Sequence, residues 1–192
     1  MKFFQEQSKY KKKKGFSLVE VMVAISLLLI ALVGPMTFYT RSSQSTEVAN
    51  DRVIATFFAQ EGAELVQKIR DDAVLADFFD VAQDGWGNFL NIVDDCLIGS
   101  CGLSVGENGG VNVIDCGSSS CALRYDSSAS HSRFTHDSQA GIPTNFSRYI
   151  ELRQVSNREV EIVSRVEWDT TVLRNRPSVE VKTSVFNIFA AE

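Results

Sequence analysis

Histidine is almost missing from this chain, with two in 192 residues. His131 and His136 lie five apart in a serine-rich stretch, the wrong spacing for one helix face, and no acid–cysteine set accompanies them. A metal-binding or catalytic role for either is not expected. There is no G-x-S-x-G, no glycine-rich phosphate loop after a strand and no H-E-x-x-H. The acidic pairs Asp71-Asp72 and Asp94-Asp95 do not follow calcium-loop spacing and read as solvated charges. Neither an enzyme activity nor a cofactor or metal is expected. Long apolar runs are also scarce. Outside one segment near the N-terminus, no window could span a bilayer.

That one segment, Lys11 to Met36, organises the rest. Four lysines, Lys11, Lys12, Lys13 and Lys14, stop at Gly15, and the chain is then apolar for about twenty residues except for Glu20. At roughly 1.5 Å per residue, Phe16 to Met36 gives about 32 Å of helix, enough for a hydrocarbon core of roughly 30 Å. The segment is not an ordinary secretory signal. The apolar run is too long, and its far end, Leu32-Val33-Gly34-Pro35, has no small-residue cleavage pattern. An uncleaved signal anchor is the plain alternative, since it too places lysines before an apolar helix. Gly34-Pro35 is expected to kink or loosen the helix, because proline removes a donor and clashes with the preceding turn.

Charge is divided along the chain. Lys2, Lys9 and the four clustered lysines against Glu6 give the first fifteen residues +5. With a net charge of −5 for the whole chain, the remainder carries −10. So acidic a remainder argues against nucleic acid, which is bound by neutralising phosphates. The lysines instead set topology, with the N-terminus in the cytoplasm and the part after Arg41 outside it. The four cysteines fit that placement. Cys96, Cys101, Cys116 and Cys121 run C-x4-C-x14-C-x4-C, looser than the C-x2-C grip of a structural zinc site, and outside the cytoplasm disulfides are the default. Three connectivities are open. Local pairs are favoured, because Leu-Ile-Gly-Ser and Gly-Ser-Ser-Ser between them are turn-like. Nested pairs, stapling a hairpin at residues 107–110, are the alternative.

The helix should continue past the apolar run. Between Arg41 and Ile69 there is no proline and one glycine. Val48, Ala55, Phe58, Leu65 and Ile69 recur on one face, widened by Ile54, Phe57 and Val66, with Glu47, Asp51, Arg52, Glu64 and Lys68 opposite. Asp71-Asp72 is an unfavourable helix C-terminus, so an end or break is expected there, with a short helical piece at 73–82 and a turn at Asp84 to Gly87. Trp86 and Phe89 should plug one end of the core. Gly99 to Gly141 holds seven glycines and ten serines. It reads as loop with a single short strand, Val111 to Ile114, stapled by the cysteines. Strands are expected at Tyr149 to Val155, Glu159 to Asp169 and Val179 to Val185. A tight turn at Asn157-Arg158 and a loop from Asp169 to Ser178 connect them. Val160, Ile162, Val166 and Trp168 share one face against Glu159, Glu161, Arg165 and Glu167, the pattern of an antiparallel sheet with one wet side.

The string Lys14-Gly15-Phe16-Ser17-Leu18-Val19-Glu20-Val21-Met22 resembles the class III leader junction of type IV pilins and type II secretion pseudopilins. The resemblance covers about thirty residues, and it is specific because a basic flank, a glycine, an aromatic and an acid stand at fixed spacing. Residues 59–66 look like minor pilins, less specifically. The resemblance implies cleavage after Gly15 by an inner-membrane prepilin peptidase and N-methylation of the new terminus, Phe16. It gives Glu20 a role in assembly, meeting the amine of a neighbour's Phe16. Glu20 pairing with its own amine, or resting protonated at the membrane interface, stays open beside that. Pro35 lies slightly nearer the mature terminus than is usual in major pilins. The implied fold is α+β and pilin-like, with a long N-terminal helix, its first half transmembrane, packed on a C-terminal antiparallel sheet beside a disulfide-stapled loop region. The implied division is a leader at 1–15, a transmembrane half-helix at 16–40 and an extracytoplasmic head at 41–192. The implied role is a structural subunit, minor pilin or pseudopilin, in the inner membrane and then in a fibre. Its partners would be the peptidase, other pilins through the helix, an assembly platform and the bilayer. A signal-anchored extracytoplasmic binding or enzyme domain that keeps its leader is the rival reading.

Overall fold

The computed structural model describes residues 15–79, 84–106, 108–117, 121–128, 132–170 and 175–188. Lys11 to Lys14, His131, and residues 80–82 of the expected short helix lie outside them. The chain divides into two compact units, Met1–Ser45 and Thr46–Glu192.

Helix α1 runs Leu18–Phe79, 62 residues. It does not break at Asp71-Asp72, as the charges suggested. Lys68 Nζ lies 2.7 Å from Asp72 Oδ2 one turn on, and Arg70 Nε lies 2.7 Å from Asp71 Oδ1. The two acids are thus paired locally, and burial of Ala73 at 5 % exposure carries the helix forward. Asp84 does not sit in a plain turn either. It caps a second helix, α2 (Gly85–Ile92), accepting the Gly87 N–H at 3.0 Å. A one-turn helix, α3 (Asp94–Ile98), follows.

The serine- and glycine-rich middle is more ordered than its composition implies. It holds β1 (Cys101–Val105), β2 (Val111–Asp115), β3 (Ala122–Asp126) and β4 (Arg133–Thr135). Then come β5 (Ile142–Ser156), β6 (Glu159–Trp168) and β7 (Ser178–Phe186). Strand β5 starts seven residues before the expected Tyr149, and its length is what joins the sheet. On one side it pairs with β6 from Phe146 to Ser156. On the other, its first residues pair with β3, and Ile150 pairs with Cys101 of β1. All these pairings are antiparallel, giving seven strands among the described residues. The C-terminal meander β5–β6–β7 is as the alternation indicated, with Val160, Ile162, Val166 and Trp168 buried.

The second half of α1 lies on this sheet through small residues. Ala55, Ala59 and Ala63 are buried. A Cβ on Gly62 would come within 2.6 Å of Ser164 Oγ and 2.7 Å of Ile150 Cδ1, so any larger residue would force these buried side chains to shift. Phe57, expected on the buried stripe, is 64 % exposed, while Ala59 beside it is fully buried. The core has two parts. Phe58, Leu123, Val166 and Trp168 form one, with Phe134 and Phe146 edge-on to Phe58 at 4.6 and 5.3 Å. Val66, Ile69, Trp86, Phe89, Ile150 and Ile162 form the centre of the other.

Candidate functional site

Gly15, Phe16 and Ser17 precede the helix, and Val21 N–H closes its first turn on Ser17 O at 3.2 Å. Ser17-Leu18-Val19-Glu20 has the S-x-x-E form of a capping box, a signal missed in reading the sequence, and Glu20 falls in the first turn. A carboxylate there meets the positive end of the helix dipole. Phe16 is 79 % exposed. A Cβ on Gly15 would meet no heavy atom within 4 Å, so folding does not require glycine at this position.

Every residue from Gly15 to Glu47 is exposed. The N-terminal part of α1 is long and apolar enough to cross a membrane, with a mean hydropathy of 2.4. Three of its hydroxyls carry their own partners. Ser26 Oγ donates to Met22 O at 2.8 Å, Thr37 Oγ1 to Gly34 O at 2.8 Å, and Thr40 Oγ1 to Thr37 O at 3.0 Å. Hydroxyls turned back onto the backbone suit a medium with no water. The helix continues through Pro35, whose missing N–H leaves the Ala31 carbonyl without its usual donor.

The cysteines form two local disulfides, Cys96–Cys101 and Cys116–Cys121, and not the nested pair. The first ties α3 to the start of β1. The second closes the connection between β2 and β3.

The seam between α1 and the sheet contains a polar cluster that no sequence pattern announced. Arg148 on β5 is fully buried. Its Nη1 reaches Glu61 Oε2 at 2.8 Å and Phe58 O at 3.3 Å, both on α1, and its Nη2 reaches Leu103 O on β1 at 3.1 Å. Burial pulls the guanidinium below its ordinary value, and the Glu61 charge pushes back. His136 completes the cluster. Its Nδ1 lies 2.7 Å from Leu103 O and its Nε2 3.2 Å from Arg148 O. A neutral ring has one N–H for these two carbonyls, and the shorter contact assigns it to Nδ1. Burial, then the Arg148 charge, lowers His136 from 6.5 to about 4, although both carbonyls favour the charged ring. So the histidine that looked idle is a packed, neutral part of the helix–sheet joint. Among the described residues, no group of three His, Cys, Asp or Glu side chains could hold a metal.

Residues 10–34 match the family model described as the prokaryotic N-terminal methylation motif. The match supports the type IV pilin and pseudopilin family, and the α+β architecture of long apolar helix and antiparallel sheet is pilin-like. No curated protein and no solved structure matches the chain.

Proposed function

We propose that this chain is a structural subunit, a minor pilin or pseudopilin, of a type IV pilus or a related secretion or DNA-uptake fibre. Prepilin peptidase cuts after Gly15 and methylates Phe16. Residues 16–40 hold the protein in the inner membrane, with the lysine leader in the cytoplasm and 41–192 outside. The subunit then leaves the bilayer for a fibre, through the assembly platform and contacts between N-terminal helices. The observation that carries this reading is the junction itself, with a basic flank, Gly15, Phe16 and Glu20 opening a fully exposed apolar helix.

The chemistry of Glu20 supports an assembly role. Glu20 sits about 6 Å along the helix from Phe16. An acid at the bilayer centre costs roughly 2.5–3.5 kcal/mol on insertion scales, and less near the interface. Cleavage creates an ammonium on Phe16. A neighbour's ammonium meeting Glu20 in apolar surroundings gives a far stronger pair than in water.

Two measurements test this. The N-terminal residue of the membrane-resident protein should be N-methylphenylalanine, whereas an intact Met1 leader supports a signal-anchored domain instead. Gly15→Val should leave the precursor uncut in the membrane, and Glu20→Val should be cut and inserted yet missing from sheared fibres. Incorporation of Glu20→Val at wild-type level would end the assembly role of this acid.

A further inference from the structure

Residues 71–123 contain nine Asp and Glu and not one Lys, Arg or His. The nearest bases along α1, Lys68 and Arg70, are already paired with Asp72 and Asp71. The segment's described residues form the end of α1, all of α2 and α3, the two strands β1 and β2, and the first residues of β3. With Asp71 and Asp72 so paired, Asp77, Asp84, Asp94, Asp95 and Asp115 are left without an ion pair among the described residues, and this flank of the head carries a net negative charge.

The same flank holds an open strand edge and a pocket that meet at one residue. Among the described strands, β2 pairs only with β1. Gly106 N–H bonds Gly110 O, and Cys116 N–H bonds Ser100 O. With the register Val105↔Val111 to Cys101↔Asp115, these bonds make the even-numbered pairs the hydrogen-bonded ones. Val111, Val113 and Asp115 therefore turn their N–H and C=O groups away from β1. Beside Val111 lies a pocket of about 220 Å³, lined by Ile69, Asp72, Ala73 and Ala76 of α1, Asn88 and Ile92 of α2, and Val111 itself. Ile92 is 41 % exposed, and Ala76 is exposed as well.

We propose that this flank docks an extended cationic segment of another polypeptide, added as a strand along β2. An added strand satisfies the free edge groups with main-chain bonds, and every second side chain faces the helices. One apolar side chain enters the pocket. Residues two positions to either side share its face, and Lys or Arg there meets the uncompensated acids. Nucleic acid and anionic lipid are repelled by the same charge.

The test uses the full chain in detergent micelles and two blocked heptapeptides, Thr-Lys-Thr-Leu-Thr-Lys-Thr and the same peptide with Glu for Lys. The lysine peptide should slow amide exchange at Val111, Val113 and Asp115, and should bind more weakly as salt rises. Ala76→Trp, at an exposed position on the rim, should fill the pocket and weaken binding by at least about tenfold, the scale of one lost anchor. Unchanged exchange at Ile150 and Leu152 would show that this variant is folded. Equal binding of the two peptides, protection along β7 instead of β2, or wild-type binding by Ala76→Trp would each overturn the proposal.

Discussion

Two stretches of the head are built on opposite terms. Residues 71–123 have nine acids, no bases and four cysteines, whereas residues 142–186 have six acids, seven bases and no cysteine. In the second stretch the charges interlock across the wet face of the sheet. Arg153 stands 3.8 Å from both Glu151 and Glu161, Arg165 stands 3.4 Å from Glu167, and Lys182 stands 2.9 Å from Glu180. In the first stretch, short helices and strands are tied by two small covalent loops. The difference teaches where each part gets its order. The meander is held by long register and a continuous apolar face. The acidic flank has too little of either, and leans on its disulfides and on α1.

The largest effect should come from the meander's apolar face. Trp168 is 3 % exposed and packs in the cluster with Phe58, Leu123 and Val166. Trp168→Ala should cost about 3–5 kcal/mol, read as a fall in the melting transition of the head. A change under about 1 kcal/mol would mean that the meander does not depend on this face.

Next is the joint between the stretches. His136 lies against β1 of the acidic flank and β5 of the meander, facing Arg148, whose own counter-charge is Glu61 on α1. Its folded value of about 4 lies below 6.5. Between those values the unfolded chain binds a proton that the folded chain refuses. The stabilisation is therefore complete above pH 6.5 and is lost as pH falls towards 4. It amounts to at most about 3–4 kcal/mol. Carboxylates titrate in the same region, so the useful quantity is the difference between wild type and His136→Gln. Stability curves for the two that run parallel from pH 7 to about 4 would remove His136 from the acid response.

The disulfides come third. Each closes a loop of sequence separation 5, for which loop entropy gives about 2 kcal/mol. Reduction should raise amide exchange in β1 and β2 first and leave the β5–β6 ladder protected. Loss of protection in both stretches together would show that they unfold as one unit.

These differences also decide what could be read from the sequence. The N-terminal methylation motif of residues 10–34 was legible because its pattern is local. The β6 and β7 alternation was legible because a half-buried strand repeats every second residue. Arg148 was not, since nothing in a strand marks the one arginine whose partner, Glu61, lies 87 positions away. Strands β1 and β3 were hidden in serine and glycine because their order comes from pairing to distant β5, at Cys101↔Ile150 and Ala122↔Ser147. Helix α2 was hidden because Asp84-Gly85 serves equally as a turn and as a cap. The end of α1 was misjudged because two ion pairs and the buried Ala73 outweigh an unfavourable dipole.

The smallest effects should differ in sign between the two stretches. Lys182 is an exposed member of the interlocked face, and its bond to Glu180 draws that carboxyl below its ordinary value. Lys182→Ala should lower stability by no more than about 0.5 kcal/mol, because exposed pairs are well solvated. Asp77 lies near the C-terminus of α1, where the last turn has no base and the dipole is already negative. Asp77→Asn removes one charge from the acidic flank and from that helix end, and should raise stability by about 0.3–1 kcal/mol. Salt should shrink both effects, the first because it screens an attraction and the second because it screens a repulsion. Paired melts of the two variants at low and high salt decide the matter. If Asp77→Asn destabilises the head at low salt, the acidic flank is not under repulsive strain at that helix end, and the contrast between the two stretches does not extend there.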